Sequence, residues 1–284
     1  MHRRDRNPCE GAPFQSLLFV PGSRPERFAK ALASRADMVC IDLEDAVPHD
    51  EKDTARANVL ATLGQGASEK IAVRINRPSC RAGVADLLAL IDSPTRPAML
   101  LLPKVESPEE VELVAAALAE APLGLVPLIE SARGLRRAHE IAGARGAAAM
   151  MFGGGDLAAE LGVELCWEPL LGARHLFLHA CAEAGLPAID VPFVHLSDSA
   201  GLEQETRLCK RLGFAAKAAI HPAQIDPIHR VMRPTAEEIA EAADAEAAFE
   251  AAGGAAVRFR GKLLEAPIMR RYRQILVLKD IAHA

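Results

Sequence analysis

Eight short apolar runs recur along the chain, and most of them are continuous rather than alternating with polar residues. Continuous runs of this length are typical of strands that are covered on both faces, as in parallel sheets. The pattern therefore predicts eight buried strands, over residues 17–20, 38–41, 71–75, 98–102, 124–129, 147–152, 187–191 and 215–220.

A segment with the apolar spacing of a helix follows each predicted strand. These segments cover residues 25–35, 49–63, 84–92, 108–120, 135–143, 169–185, 202–212 and 223–231. Strands that alternate with helices indicate a parallel sheet, and eight such units fit a closed (β/α)8 TIM barrel better than an open doubly wound sheet. We predict an α/β fold of the closed kind over residues 16–232.

The two ends of the chain depart from this alternation. Residues 1–15 mix charges with prolines and predict a flexible N-terminal tail. Residues 233–284 predict a C-terminal helical extension, because a run rich in Ala and Glu at 235–252 favours a helix and a second helical pattern covers 267–281. A short apolar run at 255–259 separates these two helices.

The composition narrows the classes of partner. Lys and Arg number 33 against 38 Asp and Glu, and the net charge of −5 gives no general attraction to nucleic acid or to an anionic membrane. No run approaches the roughly 18 apolar residues of a spanning helix, and no signal-peptide run follows the N-terminus. The six cysteines form no C-x-x-C pair, which disfavours zinc binding and a disulfide framework. We expect a cytoplasmic protein that acts on a small molecule.

Polar residues follow the predicted strands at the end where a barrel of this type carries its active site. They are Arg24 after strand one, Asp42, Glu44 and Asp45 after strand two, Arg74 and Asn76 after strand three, Lys104 after strand four, Glu130 after strand five, Asp156 after strand six, Asp190 near strand seven, and His221 after strand eight. Charged groups are therefore expected to meet at one rim of the barrel.

Two carboxylates on adjacent strands, Glu130 and Asp156, suit a hard cation such as Mg²⁺. This ion takes one or two carboxylates and completes its octahedron with water and substrate oxygens. The glycines before Asp156 allow close approach of the backbone. The alternative is that Glu130 caps a helix starting at Ser131 and that Asp156 caps one starting at Leu157.

The other charged residues of the rim also allow two interpretations. Arg74 has the planar fork that binds a substrate carboxylate through two hydrogen bonds, or else it forms a structural ion pair with Glu44 or Asp45. Lys104 has the same two interpretations, substrate binding or a structural role, and we favour the structural one. Glu44 and Asp45 are candidates for a catalytic role in orienting metal-bound waters, although three acids in four residues are also common in ordinary loops.

Several of these strand ends resemble one known family. The chain reads Leu-Phe-Val-Pro-Gly at 18–22, Ile-Asp-Leu-Glu-Asp-Ala-Val at 41–47, Arg-Ile-Asn at 74–76, Leu-Pro-Lys at 102–104, Ile-Glu-Ser-Ala at 129–132 and Lys-Ala-Ala-Ile-His-Pro at 217–222. Between about residue 16 and residue 275 it resembles the citrate lyase β-subunit-like (HpcH/HpaI aldolase/citrate lyase) family.

The resemblance implies a trimeric or hexameric (β/α)8 barrel whose Mg²⁺ is held by Glu130 and Asp156. It implies that Arg74 serves the substrate, and it places Pro21, Gly22 and Arg24 near a thioester carrier, with Arg24 able to meet a coenzyme A phosphate.

One departure from the family pattern concerns the C-terminal segment. The family often reads Gly-x-Met-Ile-Asp-x-Pro there, and its aspartate lies on a lid from a neighbouring subunit and moves a proton at the α-carbon of the thioester. This chain reads Gly-Lys-Leu-Leu-Glu-Ala-Pro at 261–267, which puts Glu265 in that place. Glu265 can transfer the same proton if the backbone compensates for its extra methylene. The alternative is a surface glutamate in a lid that has lost activity.

The function that the resemblance implies is a Mg²⁺-dependent carbon–carbon lyase. Its substrate would be a short 3-hydroxyacyl-CoA thioester of malyl, citramalyl or citryl type, which is cleaved to a 2-oxo acid and an acyl thioester. Two alternatives stay open. One is an aldolase that cleaves a free 4-hydroxy-2-oxo acid, and the other is a citrate lyase β subunit whose substrate is carried by an acyl carrier protein.

Overall fold

The computed structural model describes residues 14–120 and 122–282. The predicted N-terminal tail, residues 1–15, lies outside the described residues except for its last two. The described chain divides into two compact units, one ending at His229 and the other beginning at Arg230.

The first unit is built on a closed barrel of eight parallel strands, which confirms the predicted fold class. Each strand pairs with the next along the chain, and the barrel closes where Leu17 of the first strand stands beside Ala218 of the last. The strands are β1 (Ser16–Pro21), β2 (Met38–Asp42), β3 (Ile71–Arg74), β4 (Met99–Leu102), β5 (Gly124–Ile129), β6 (Met150–Phe152), β7 (Ala188–Asp190) and β8 (Ala216–Ala219).

Helices surround the barrel, and most lie where the apolar spacing predicts them. They are α1 (Phe28–Leu32), α2 (Lys52–Leu63), α3 (Arg81–Asp92), α4 (Pro108–Ala117), α5 (Ala132–Arg136), α6 (Ala138–Ala142), α7 (Gly154–Leu161), α8 (Trp167–Ala184), α9 (Ser199–Leu212) and α10 (Ile225–Met232). The sequence analysis considered a helix here only in the capping alternative, with a start at Leu157, whereas α7 begins earlier, at Gly154 within the glycine run. The helix buries Leu157 and Ala158 on one face.

The barrel interior is packed with side chains from alternate positions of the strands. In β4, for example, Met99 and Leu101 belong to this interior cluster, and Leu100 and Leu102 are also buried. Both faces of the strand are therefore covered, which explains the continuous apolar runs. A filled interior leaves the strand ends as the place for polar chemistry.

Two residues predicted for the polar rim have structural contacts instead. Asp190 is fully buried, where it accepts hydrogen bonds from Lys217 at 2.8 Å and from Arg174 at 3.0 Å. The guanidinium of Arg174 also lies over the Trp167 ring, 4.5 Å from its centroid. His221 accepts the amide of Ala223 and thereby begins a short 3-10 turn. The buried charges are paired with one another, so this network joins β7 to β8 rather than facing a ligand.

The second unit has a core of its own. It contains α11 (Ala236–Ala251), the hairpin strands β9 (Val257–Phe259) and β10 (Lys262–Leu264), and α12 (Ala266–Ala282). Thr235 and Glu238 form a capping box at the start of α11. The sequence analysis missed β10, because Arg260 and Gly261 turn the chain back after so short an apolar run. The core of the second unit contains Ala245, Phe249, Leu264 and Met269.

Within the described part of the chain, no helix is both long and apolar enough to cross a membrane.

Candidate active site at the barrel mouth

Asp42, the last residue of β2, organises the acidic loop that follows it. One carboxylate oxygen accepts the amide of Glu44 at 2.9 Å and the other accepts the amide of Ala46 at 3.1 Å. The same two oxygens accept hydrogen bonds from Nε and Nη2 of Arg74, both at 2.7 Å. A single buried carboxylate therefore fixes both the loop and the arginine.

This geometry limits how Arg74 could meet a substrate. Asp42 occupies its Nε–Nη2 edge, so that edge is not free for a substrate carboxylate, and the predicted substrate contact stays a prediction. Nη1 remains, at 3.0 Å from Glu44 Oε2 and 3.7 Å from Asp45 Oδ2. Burial by itself would lower the pKa of Arg74, but the paired Asp42 outweighs burial and raises it. The arginine is thus a permanent cation that holds three acids together.

Glu130 follows β5 and is buried at the mouth. Its Oε2 accepts the backbone amide of Lys104 at 2.7 Å. Burial, with added repulsion from Glu44 and Asp156, raises the pKa of Glu130 to about 7, against the opposing effect of Arg74. Ionising the Glu130 carboxylate therefore costs free energy unless a further cation approaches it.

Asp156 lies in the first turn of α7 and is half-exposed, with one oxygen 3.3 Å from Lys104 Nζ. The capping alternative fails for both predicted metal ligands. Ser131, not Glu130, caps α5 by accepting the amide of Gly134, and α7 has Gly153 before it with no side-chain cap. Both carboxylates are therefore free of a helix-capping role.

Gly153 explains how the backbone between β6 and α7 comes so close to Glu130. A Cβ built on Gly153 would lie 2.0 Å from Cγ of Glu130, whereas a Cβ on Gly155 would meet nothing within 4 Å. The missing side chain of Gly153 therefore makes room for Glu130. Gly155 has no such neighbour, so a side chain at this position would fit.

Lys104 links the acidic loop to Asp156. Its ammonium lies 2.8 Å from Glu44 Oε1 and 3.2 Å from Asp45 Oδ1. The pKa of Glu44 is raised by burial despite the nearby cations, while the pKa of Asp45 is lowered because Arg74 and Lys104 together outweigh its burial. Lys104 thus makes the structural contacts that we favoured from the sequence, and its contact with Asp156 was not expected.

Glu44 and Asp45 border an open cavity of about 400 Å³. Lys52 stands on its wall with an ammonium that donates to the carbonyls of Leu43 and Glu44 at 2.7 and 2.6 Å. The sequence analysis did not single out several of the lining residues, because they lie within helices or loops. The lining consists of Glu44, Asp45, Val47, His49, Lys52, Asn76, Arg77, Cys80 and Lys104.

The residues predicted near a thioester carrier lie beside this loop. Pro21 ends β1 in register with Asp42, and the amide of Gly22 donates to the Asp42 carbonyl at 2.8 Å. A Cβ on Gly22 would meet that carbonyl oxygen at 2.9 Å, so the strand end requires glycine. Arg24 is exposed in the turn that follows. The structure brings this segment next to the acidic loop.

Glu265 belongs to the second unit, where it immediately precedes α12. Its side chain is exposed, and its carbonyl accepts the amides of Ile268 and Met269 at 2.9 and 3.0 Å. Its place in a catalytic site stays a prediction.

The donor set at the mouth fits a magnesium ion. Five carboxylates meet here, those of Asp42, Glu44, Asp45, Glu130 and Asp156, and among the described residues they outnumber the side-chain cations that pair with them, Arg74 and Lys104. Among the described residues no group of three His, Cys, Asp or Glu forms a metal cage of its own. Two carboxylates with space for water and substrate oxygens are what Mg²⁺ accepts, so Glu130 and Asp156 would hold it.

Comparison with known proteins assigns the chain to a family. Residues 15–222 match the family model described as HpcH/HpaI aldolase/citrate lyase. This chain belongs to that family. The match covers the whole strand-bearing part of the barrel and confirms the family that the strand-end motifs indicate.

Relatives in the family include enzymes with related chemistry. The human mitochondrial citramalyl-CoA lyase is 31% identical over 94% of this chain and 85% of its own length. The (3S)-malyl-CoA thioesterase of Cereibacter sphaeroides is 36% identical, over 89% of this chain and 90% of its own. A crystal structure of CitE from Mycobacterium tuberculosis in complex with magnesium, acetoacetate and coenzyme A superposes with a TM-score of 0.81 at 33% identity, covering 95% of this chain and 99% of that one.

The position of Gly153 yields a direct test of the site geometry. We expect Gly153→Ala to displace Glu130, because the added methyl group would overlap Cγ of that residue. The affinity for Mg²⁺ should fall by at least about tenfold, equivalent to roughly 1.4 kcal/mol. Isothermal titration calorimetry measures it, and far-ultraviolet circular dichroism checks the fold.

Gly155→Ala is the matched control, since its methyl group meets nothing within 4 Å. This variant should bind Mg²⁺ as the wild type does. Equal affinity of the Gly153→Ala variant and the wild type would contradict the assignment of Glu130 to the metal.

Proposed function

We propose that the protein is a Mg²⁺-dependent carbon–carbon lyase. Its substrate is a short 3-hydroxyacyl-CoA thioester of malyl, citramalyl or citryl type, and its products are a 2-oxo acid and an acyl thioester. The observation that carries this proposal is the surplus of carboxylates over cations at the barrel mouth, centred on Glu130 and Asp156. The names of the human and mycobacterial relatives support the same chemistry.

Glu130, after β5, and Asp156, in the first turn of α7, would hold the metal at the mouth. When bound, Mg²⁺ acts as a Lewis acid on substrate oxygens. The missing side chain of Gly153 leaves room for Glu130 close to the backbone.

Arg74 acts mainly by position in this proposal. Because Asp42 occupies the Nε–Nη2 edge of the guanidinium, any contact with substrate must come from the Nη1 side. A positive charge fixed there favours negative charge that develops on an oxygen of the substrate during bond cleavage.

Glu44 is the candidate to accept the proton of the substrate hydroxyl. It borders the cavity, and its buried Oε2 lies near Arg74 but accepts no hydrogen bond. Burial raises its pKa, which brings a carboxylate closer to the strength of a useful base. Loss of that proton allows the carbon–carbon bond to break, leaving a 2-oxo acid and a thioester enolate. Asp45 helps to hold Lys104 beside Glu44.

The proton that converts the enolate to the acyl thioester comes from Glu265 in our proposal. Glu265 is exposed in a unit outside the barrel, so we propose that it serves the site of a neighbouring subunit in a homotrimer or hexamer. Pro21, Gly22 and the exposed Arg24 receive the coenzyme A portion. An acyl carrier protein could supply the same thioester in place of coenzyme A.

A substrate panel tests the function. Purified protein with Mg²⁺ should release a 2-oxo acid from at least one of malyl-, citramalyl- and citryl-CoA without an equal release of free thiol. Release of thiol without 2-oxo acid would identify a thioesterase instead, as the name of the Cereibacter relative suggests. Cleavage of a free 4-hydroxy-2-oxo acid, with no action on thioesters, would identify an aldolase. The same panel should include the corresponding thioesters of acyl carrier protein, again with release of 2-oxo acid as the measurement.

Glu130→Gln and Asp156→Asn should each lower turnover by at least about a thousandfold and weaken Mg²⁺ binding, because each removes one charged ligand. Asp226→Asn is the control, since its exposed carboxylate pairs with Arg35 on the surface, away from the barrel mouth. Full activity of both ligand variants would refute the proposed metal site.

Glu265 is tested by proton exchange. Glu265→Gln should nearly abolish incorporation of solvent deuterium into the acyl thioester and should spare Mg²⁺ binding, whereas Glu265→Asp should keep substantial activity. Glu250→Gln, an exposed glutamate of α11, is the matched control. Co-assembled Glu265→Gln and Asp156→Asn chains should regain partial activity through mixed sites. A verified hetero-oligomer without activity would exclude the shared site.

A further inference from the structure

Lys104 has an unusual backbone at the centre of the site. Its φ of 53° places a residue with a side chain in the left-handed region, which is strained for a residue other than glycine. The residue directly follows Leu102-Pro103 at the end of β4, where Val105 returns to the barrel by donating its amide to the Leu128 carbonyl. The chain therefore maintains a strained turn at this point, and Lys104 stands at its tip.

The turn lets Lys104 contact both proposed metal ligands, one from each end of the residue. Its backbone amide donates to Glu130 at 2.7 Å, and its ammonium lies 3.3 Å from Asp156. An ordinary structural ion pair would need only one of these contacts. The positively charged lysine therefore lies between the carboxylates of Glu130 and Asp156.

The three carboxylate contacts of the ammonium are unequal. The contact with Asp156 is the longest, at 3.3 Å against 2.8 Å for Glu44 and 3.2 Å for Asp45. Asp156 and Asp45 are both about half-exposed, whereas Glu44 is buried. Asp156 is the one proposed metal ligand among the three, and it combines the longest contact with an exposed side chain. A competing cation can therefore displace the ammonium from Asp156, because water replaces the lost contact at small cost.

We propose that Lys104 is a built-in competitor of the metal. In the metal-free protein its ammonium neutralises Asp156, and on metal binding it gives up Asp156 while staying with Glu44 and Asp45. This inference rests on the proposed metal site, and it adds that the lysine sets how tightly that site binds Mg²⁺. The lysine keeps the metal-free mouth stable and weakens metal binding by the free energy of the contact that must be broken.

A charge-removing variant separates this role from a purely structural one. Lys104→Met keeps the length of the side chain without its charge, so Mg²⁺ should bind about tenfold more tightly than to the wild type. The melting temperature of the metal-free variant should fall, and its rise on adding a fixed, saturating concentration of Mg²⁺ should exceed that of the wild type, because a ligand that binds more tightly stabilises the folded state more at the same concentration. Calorimetric titration and differential scanning fluorimetry measure the two effects.

Lys104→Gly guards against a variant that merely misfolds. It keeps the backbone amide that Glu130 accepts and relieves the left-handed strain, so it should bind Mg²⁺ more tightly while recovering part of the lost stability. Lys104→Arg retains a cation and should keep affinity near that of the wild type. Lys30→Met, on the exposed face of α1, controls for the change in net charge and should alter neither measurement.

Unchanged or weaker Mg²⁺ binding by both the methionine and the glycine variants would overturn the role of Lys104 while leaving the metal site intact. If neither the wild type nor these variants bind Mg²⁺, the proposed metal site itself is wrong, and the role of Lys104 fails with it.

Discussion

The buried pair between Asp42 and Arg74 is the interaction on which the active-site mouth depends. The two hydrogen bonds at 2.7 Å join the end of β2 to the end of β3, and the same carboxylate fixes the backbone of the loop that carries Glu44. Without Arg74, Asp42 would be a buried charge that lacks its paired counter-ion, and Glu44 would lose one of the two cations beside it, the other being Lys104. The arrangement of the whole acidic loop follows from this pair.

The paired arginine does not neutralise the mouth, and this imbalance has a functional consequence. Glu130 and Glu44 both have raised pKa values because burial and neighbouring acids disfavour their charged forms. A protein gains no stability from holding such groups close together. The arrangement becomes favourable when a divalent cation enters, so we interpret the surplus of negative charge as stability that the fold gives up for function.

The sequence predicted the barrel because its strand signal is strong and repeated. It also predicted that Glu130 and Asp156 lie at the mouth, since each follows an apolar run at the end where parallel strands carry their polar groups, and their binding of a metal stays a proposal. The main partner of Arg74 was harder to predict from the sequence. All three acids of the loop lie within reach of a flexible side chain, and Asp42 accepts the paired hydrogen bonds because of where the backbone places it. Asp190 shares the strand-end position of the metal ligands, yet Lys217 and Arg174 bury it, and that pairing joins residues far apart in the chain.

Glycine had opposite effects on two predictions. The run before Asp156 indicated close approach of the backbone, and Gly153 has that close approach to Glu130. The same run hid the start of α7 at Gly154, because glycine disfavours helices locally while the packing of Leu157 stabilises one here. The role proposed for Glu265 lies beyond both kinds of signal, since this residue comes after the last barrel strand and follows no barrel strand directly.

A crystal structure grown with Mg²⁺ and a short 2-oxo acid tests the central claim most directly. The account predicts an octahedral ion at the barrel mouth, bonded at about 2.1 Å to the carboxylates of Glu130 and Asp156, with water and the oxo acid at the remaining positions. The Asp42–Arg74 pair should remain intact. An ordered ion bound elsewhere, or a mouth that holds the oxo acid with Glu130 and Asp156 turned away from any metal, would contradict the account.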